Sequence, residues 1–303
     1  DGRKATMPET PVRDGYEFVG WYLGNEKWSF IGFTVTDDIT LVAKWKEVGT
    51  PELDFYPLPD GTYGVRAGNA QYLDTIIIPS IHNERAVTQI LPNAFKDAVN
   101  LEYITLPDTL TIISEYAFYG CSKLTTCNIP DSVVSIGEYA FYGCSALQGD
   151  FILPSEMTEV PAYLLYECSQ ITSVVISENV VSIGEYSLYR TGITSFELKN
   201  VAKIGTYAFA GCLSLKEINI NAAVKSIGAY SFYQSGLTDA YFENADKWYN
   251  SIGFTYRFNP ANGSDKDVVY DISDSKAAAN ALRDRVKVKT GTTSKEDSTG
   301  YPY

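Results

Sequence analysis

The chain has 303 residues, 45% of them apolar, enough for a folded core spread over two or three units. Its 24 Lys and Arg face 37 Asp and Glu, a formal charge of −13, which argues against nucleic acid and anionic membranes as partners. No run approaches the ~18 consecutive apolar residues of a membrane span, and residue 1 is an Asp with no leader-like stretch after it, as expected for a piece of a larger protein.

Residues 1–48 form a unit of their own. Asp14-Gly15 marks a turn, Tyr16 and Phe18 alternate as on a half-buried strand, and Leu41, Ala43 and Trp45 alternate again. Trp21, Trp28 and Trp45 suit the core of a very small domain, with a carbohydrate platform as the alternative. The run Gly15-Tyr16-x-Phe18-x-Gly20-Trp21-Tyr22 and the closing Thr40-Leu41-x-Ala43-Lys44-Trp45 resemble the Listeria–Bacteroides repeat, or internalin B-repeat, of bacterial surface proteins. The resemblance implies a small β-grasp-like module. That family usually carries a further strand and a Gly-rich turn before the position of Gly2, so the module reads as truncated at its start, with an open edge.

Residues 49–71 read as a capping hairpin, with Leu53, Phe55 and Tyr56 before an Asp60-Gly61 turn and Thr62, Tyr63 and Val65 after it. A terminal coil of a stacked array leaves an apolar face bare, so an atypical cap is expected there. Residues 72–260 read as a repeat array with a C-terminal cap: the sequence repeats seven times between 72 and 242, and Tyr241 to Phe258 breaks the pattern. Leading apolar residues stand at Leu101, Leu124, Leu147, Ile171, Ile193, Leu215 and Leu237, in steps of 23, 23, 24, 22, 22 and 22. A fixed period in the low twenties predicts a solenoid, one coil per repeat.

Each coil fills the same slots. Two inward strand residues come first: Ile104/Leu106, Cys127/Ile129, Phe151/Leu153, Val174/Ile176, Phe196/Leu198 and Ile218/Ile220. Pro79, Pro107, Pro130 and Pro154 end that strand, because proline cannot continue a ladder hydrogen bond. An apolar slot follows at Leu110, Val133, Met157, Val180, Val201 and Val224. Then comes an Ile-Gly corner, clearest at Ile136-Gly137 and Ile183-Gly184, where glycine fits a tight bend or a positive φ. Phe118, Phe141, Leu165, Leu188, Phe209 and Phe232 fill the centre from the opposite side. The pattern Leu-x-x-Ile-x-Ile-Pro-x-x-Val-x-x-Ile-Gly-x-Tyr-Ala-Phe-x-x-Cys resembles the BspA-type (Treponema-like) leucine-rich repeat. That resemblance implies an α/β leucine-rich-repeat solenoid, right-handed, with parallel strands on its concave face. It also implies bacterial or protist cell-surface proteins, several of them adhesins.

Most of the conspicuous residues belong to the slots. Cys121, Cys144, Cys168 and Cys212 share one slot, as a ladder of buried thiols would. Inter-coil disulfides and a metal site are the alternatives, and no C-x₂-C spacing favours metal. Tyr116, Tyr139, Tyr163, Tyr186, Tyr207 and Tyr230 form one column, and Tyr119, Tyr142, Tyr166, Tyr189 and Tyr233 a second. The rings are expected to stack on one another, with a contact stripe as the alternative. His82, the single histidine, falls in an insertion and reads as a surface loop residue.

The outward strand positions alternate with the inward ones and are the candidate binding surface. They include Tyr103, Thr105, Asn128, Asp150, Ile152, Val175, Glu197, Glu217, Asn219 and Tyr241. The expected function is a non-enzymatic bacterial cell-surface fragment that adheres to, or binds, an extracellular protein or glycan. A structural spacer presenting another domain is the alternative. No catalytic, cofactor-binding or metal-binding residues are assigned, nucleic-acid partners and membrane insertion are not expected, and the location is extracellular by resemblance. Trp248 and Ile252, four residues apart, form a helical pair that could lid the last coil. In the tail, 261–303, a short helix over Ser275–Arg285 precedes a polar linker, unless the tail begins another module.

Overall fold

A single coil of about 23 residues cannot satisfy its own backbone, because its extended segments have no partner within the coil. The computed structural model shows how stacking answers this. It describes residues 3–4, 6–13, 15–31, 34–35 and 37–243, and beyond them the strands Tyr256–Phe258, Lys266–Val268 and Val288–Lys289. The expected Trp248–Ile252 lid, the 275–285 helix and the polar linker lie outside the described residues. The repeat builds a β-solenoid of about eight turns with parallel strands.

Coils join along three sides. On the first side, face strands pair in parallel: Thr75–Ile77 with Tyr103–Thr105, and that strand with Thr126–Cys127. Gly149–Ile152 then pairs with Ile171–Val175, and Glu217–Ile220 with Asp239–Phe242. The second side is a ladder that the repeat pattern alone did not announce. The Ile of each Ile-Gly corner closes a two-residue strand, and these strands join those ending at the equivalent Ile90, Ile113 and Val160 in two parallel ladders, one through Ile90, Ile113 and Ile136 and one through Val160, Ile183, Ile204 and Ile227.

The third side is made of turns rather than helices; among the described residues the one helix is a short 3-10 turn at Gly68–Tyr72. These turns also form a ladder. The Tyr116, Phe118 and Gly120 N–H groups donate to the Glu138, Ala140 and Tyr142 carbonyls at 3.1, 2.7 and 2.7 Å, and the same triplet recurs down the stack. Two backbones per turn are left-handed. One belongs to the first tyrosine column, with φ between 52° at Tyr186 and 59° at Tyr139 and Tyr230. The other belongs in successive coils to Asp97, Gly120, Gly143, Glu167, Arg190, Gly211 and Gln234. A left-handed backbone costs an ordinary residue roughly 1–2 kcal/mol. The triplet of hydrogen bonds to the next coil offsets that cost.

The slots fill the interior as their spacing predicts. The strand pairs, the apolar slot and the Phe/Leu column are buried, apart from Cys127 and Ile129, which are partly covered. Phe95, Phe118 and Phe141 stack at 5.3 and 5.0 Å, and Phe209 stacks on Phe232 at 5.0 Å. Where Leu165 and Leu188 interrupt that column, strand residues make up volume: Phe151 meets Phe141 edge-on at 5.3 Å and Phe196 meets Phe209 at 5.0 Å. Each such burial stabilises by roughly 1.5–3 kcal/mol.

At the start of the stack, Asp54–Pro57 and Tyr63–Arg66 form an antiparallel hairpin whose second strand pairs with Arg85–Ile90. His82 lies on an inserted hairpin, Ile81–His82 against Arg85–Ala86. Its ring stacks on Phe55 at 3.9 Å and abuts Tyr63 at 4.9 Å, so it covers the cap rather than projecting from a loop. Thr50 closes the edge of the first face strand: its N–H donates to the Ile77 carbonyl at 2.8 Å and its Oγ1 accepts from the Ile77 N–H at 2.7 Å. In the N-terminal module Tyr16–Leu23 pairs antiparallel with Val42–Glu47. Phe18 packs edge-on against Trp21 and Trp45 at 5.6 and 5.5 Å, so these two tryptophans serve its small core.

The corner glycines need a correction. Gly137, Gly184, Gly205 and Gly228 do not have positive φ. They are small because the preceding coil passes directly behind them: a Cβ on Gly184 would lie 2.5 Å from the Ala162 nitrogen and 2.8 Å from its Cα. Gly143 is the opposite case, left-handed at φ 72° but with nothing nearer than 3.8 Å. Urea unfolding is therefore expected to show Gly184→Ala losing about 2–3 kcal/mol by overpacking. Gly143→Ala should lose only about 1–2 kcal/mol by backbone strain. Equal losses would contradict the steric reading.

Candidate functional site

The face strands set the candidate surface by alternation. In register, Tyr103 lies between Thr75 and Thr126, and Thr105 opposite Ile77. Asp150 and Ile152 lie opposite Ser173 and Val175, and Glu217 and Asn219 opposite Asp239 and Tyr241. All ten residues named from the sequence are exposed: Tyr103, Thr105, Asn128, Asp150, Ile152, Val175, Glu197, Glu217, Asn219 and Tyr241. Among them are large apolar groups that would ordinarily be covered, Ile152 at 59%, Tyr103 and Tyr241 at 51% and Val175 at 41%. Ile77, in the same row, is only half-buried; Gly15 of the N-terminal module approaches it so closely that a Cβ there would sit 2.8 Å from its Cδ1.

The face is not one continuous sheet. It breaks before Gly149–Ile152, where the 24-residue step places an extra residue and Gly149 bulges with φ 82°. It breaks again at Ser195–Leu198, which form no strand; among the described residues no backbone hydrogen bond joins them to Glu217–Ile220. At this second break lies a half-open depression of about 480 Å³. It gathers four of the ten residues, Glu197, Glu217, Asn219 and Tyr241, beside Ser195, Lys199 and Asn221. The other six spread along the remaining coils. Lys199 and Asn221 were absent from the sequence-based set. Their signal was available: they occupy the slot that proline fills in the early coils.

The tyrosine columns are architecture. Rings of the first column stack from Tyr116 to Tyr230 at 4.4–4.9 Å, and Tyr119, Tyr142, Tyr166 and Tyr189 at 4.4–4.7 Å. Ring faces are thus spent on one another, leaving edges and hydroxyls at the surface, which is poor geometry for a sugar-stacking platform. Burial and the neighbouring phenols push the Tyr142 hydroxyl up to about 12. The second column is interrupted at Ala210, and Tyr233 beyond the gap turns edge-on to Tyr207 and Tyr230. Lys96 caps the other end, its Nζ 5.0 Å from the Tyr119 ring.

All five cysteines are free thiols. Cys121, Cys144, Cys168 and Cys212 each donate Sγ–H to the carbonyl of the Phe or Leu slot one coil earlier, at 3.0–3.1 Å. Burial pushes Cys121 up to about 12 and Cys212 up to about 11. No group of three or more His, Cys, Asp or Glu side chains is gathered as metal ligands among the described residues.

Residues 88–213 and 181–259 match the model of the BspA type leucine-rich repeat region, in six copies. The chain belongs to the BspA-type leucine-rich repeat family. Residues 1–44 match the Listeria-Bacteroides repeat domain. Among solved structures the chain is similar to a leucine-rich cell surface protein of Faecalibacterium prausnitzii A2-165, at 19% identity and TM-score 0.44, covering 66% of this chain and 77% of that one. It is also similar to a T. pallidum leucine-rich repeat protein, at 20% identity and TM-score 0.45, covering 56% and 91%. A curated "putative membrane protein" of Evansella cellulosilytica is 37% identical over 82 residues, 26% of this chain, and the match spans 12% of that protein's length. Among the described residues no helix is long and apolar enough to cross a membrane.

The thiols carry a pH prediction. A thiol in the unfolded chain ionises near 9, whereas Cys121 and Cys212 hold their protons to about 12 and 11 when folded. Their stabilising contribution is complete below pH 9 and is lost progressively as pH rises from 9 up to and through the folded values. Urea midpoints measured at pH 8 and pH 10.5 should fall with pH, and a variant with Cys121→Ala and Cys212→Ser should fall less. An identical pH slope in the variant would refute the thiol contribution.

Proposed function

We propose that this solenoid is a non-enzymatic binding module of a bacterial surface protein, and that the face strands receive an extracellular protein or glycan. The observation that carries this reading is the exposure of Tyr103, Ile152, Val175 and Tyr241 on the same face as the outward Glu197, Glu217 and Asn219. Glu197, Glu217, Asn219 and Tyr241 make no side-chain hydrogen bond or ion pair with another described residue. On the turn side, tyrosines engage tyrosines and Arg190 engages Glu167 at 3.0 Å. Exposed apolar and aromatic groups interleaved with unpaired polar ones are the composition of a recognition surface.

The extracellular location and the absence of catalysis belong to this proposal and draw on the family. A spacer role is the second reading, favoured by hydrogen bonding along three sides, which makes a stiff rod. Arrays of extracellular matrix proteins and glycans separate the two. The binding reading expects a partner whose affinity drops about tenfold or more when Tyr103, Asp150, Val175 and Glu197 are changed together to Ala. Unchanged binding would place the site elsewhere, and no binding on any array would favour the spacer.

A further inference from the structure

We propose that the depression at the second break in the face ladder receives an arginine or lysine side chain from an extended basic segment of a partner protein. This deepens the strand-face reading and rests on it. The first reason is the break itself. Ser195–Leu198 and Glu217–Ile220 share no backbone hydrogen bond; the Leu198 and Ile220 carbonyls accept instead from the Val201 and Glu243 N–H groups, which leaves the Ser195, Phe196 and Glu197 carbonyls without a donor among the described residues and open to an incoming one. A buried or half-buried carbonyl without a donor is costly, and a guanidinium or ammonium supplies several.

The second reason is the lining. Two carboxylates, Glu197 and Glu217, and the Asn219 amide stand at the depression, with the Tyr241 ring 51% exposed; Asn221 beside them is held by the Lys199 carbonyl and the Ala223 N–H. Carboxylates and a free aromatic face together are the complement of a cation.

The alternatives fit less well. A divalent cation needs several converging acidic ligands, and no such group is gathered among the described residues. A neutral glycan would find one aromatic ring at the depression to stack on, that of Tyr241. Lys199 is the one cation at the rim, and it gives the proposal a sign. It opposes a cationic guest, so neutralising it must strengthen binding, whereas a purely structural role would not distinguish the two charges.

The test uses the whole chain and fluorescein-labelled hexapeptides, Gly-Arg repeated three times and Gly-Glu repeated three times, followed by fluorescence anisotropy. The Arg peptide should bind and the Glu peptide should not, with affinity falling as salt rises. Glu197→Gln with Glu217→Gln should weaken the Arg peptide about tenfold, and Lys199→Gln should tighten it a few-fold. Glu138→Gln with Glu185→Gln, on the turn side, removes the same charge and should change nothing; an equal loss there would reduce the effect to net charge and overturn the proposal. So would binding unaffected by the face changes, no Arg-peptide binding, or a neutral chitohexaose probe binding in its place. Array binding that still depends on Tyr103 and Ile152 while the Arg peptide fails would leave the strand-face reading standing and remove only this site.

Discussion

No coil of this solenoid can satisfy its backbone alone, so every extended or turning segment must find its carbonyls in the coil beside it. That constraint fixes the rest. Because the turn ladder joins successive coils and the two strand ladders join most of them, coils must keep the same path, and the same slot must recur with nearly the same volume. Phe118 can stand on Phe95 and under Phe141 only because the Tyr116, Phe118 and Gly120 amides lock the turns together. The tyrosines follow from the same demand. Their left-handed backbone aims the turn's amides along the stack, and ring stacking adds contact area where that backbone is strained.

The places where the ladder lapses are the places with something to offer a partner. An extra residue at Gly149 accompanies the first break in the face sheet, and the sheet breaks again at Ser195–Leu198. At the second break a depression opens, and Glu197, Glu217 and Asn219 beside it make no side-chain hydrogen bond with another described residue. Regular coils hold the geometry rigid while irregular ones expose unpaired groups. Function in such a fold is then a property of a few outward strand positions rather than of the repeat.

Much of this was legible in the sequence because the repeat is a packing rule written many times. Slots requiring an apolar side chain, such as Leu110 or Val180, can be read from spacing alone, and so can the stacking of Tyr139 on Tyr163. The corner glycines were ambiguous, because a positive φ and a close backbone approach both select glycine; only the position of Ala162 behind Gly184 decides between them. The second ladder was hidden because two residues at Ser182–Ile183 carry too short a pattern for a period of two to show. The depression was half visible. Outward alternation gave Glu197, Glu217, Asn219 and Tyr241, but nothing in a single sequence states that neighbouring strands fail to pair.

The central claim is that the slots hold the fold and the outward face positions are free for recognition. Its most direct test is the thermal unfolding midpoint, followed by circular dichroism, of a chain with all ten outward residues replaced by Thr: Tyr103, Asn128, Asp150, Ile152, Val175, Glu197, Glu217, Asn219 and Tyr241 changed, Thr105 already in place. The account predicts a cooperative transition within about 4 °C of the parent chain. A variant that fails to fold, or that melts far below the parent, would show that the face carries the structure and would contradict the account.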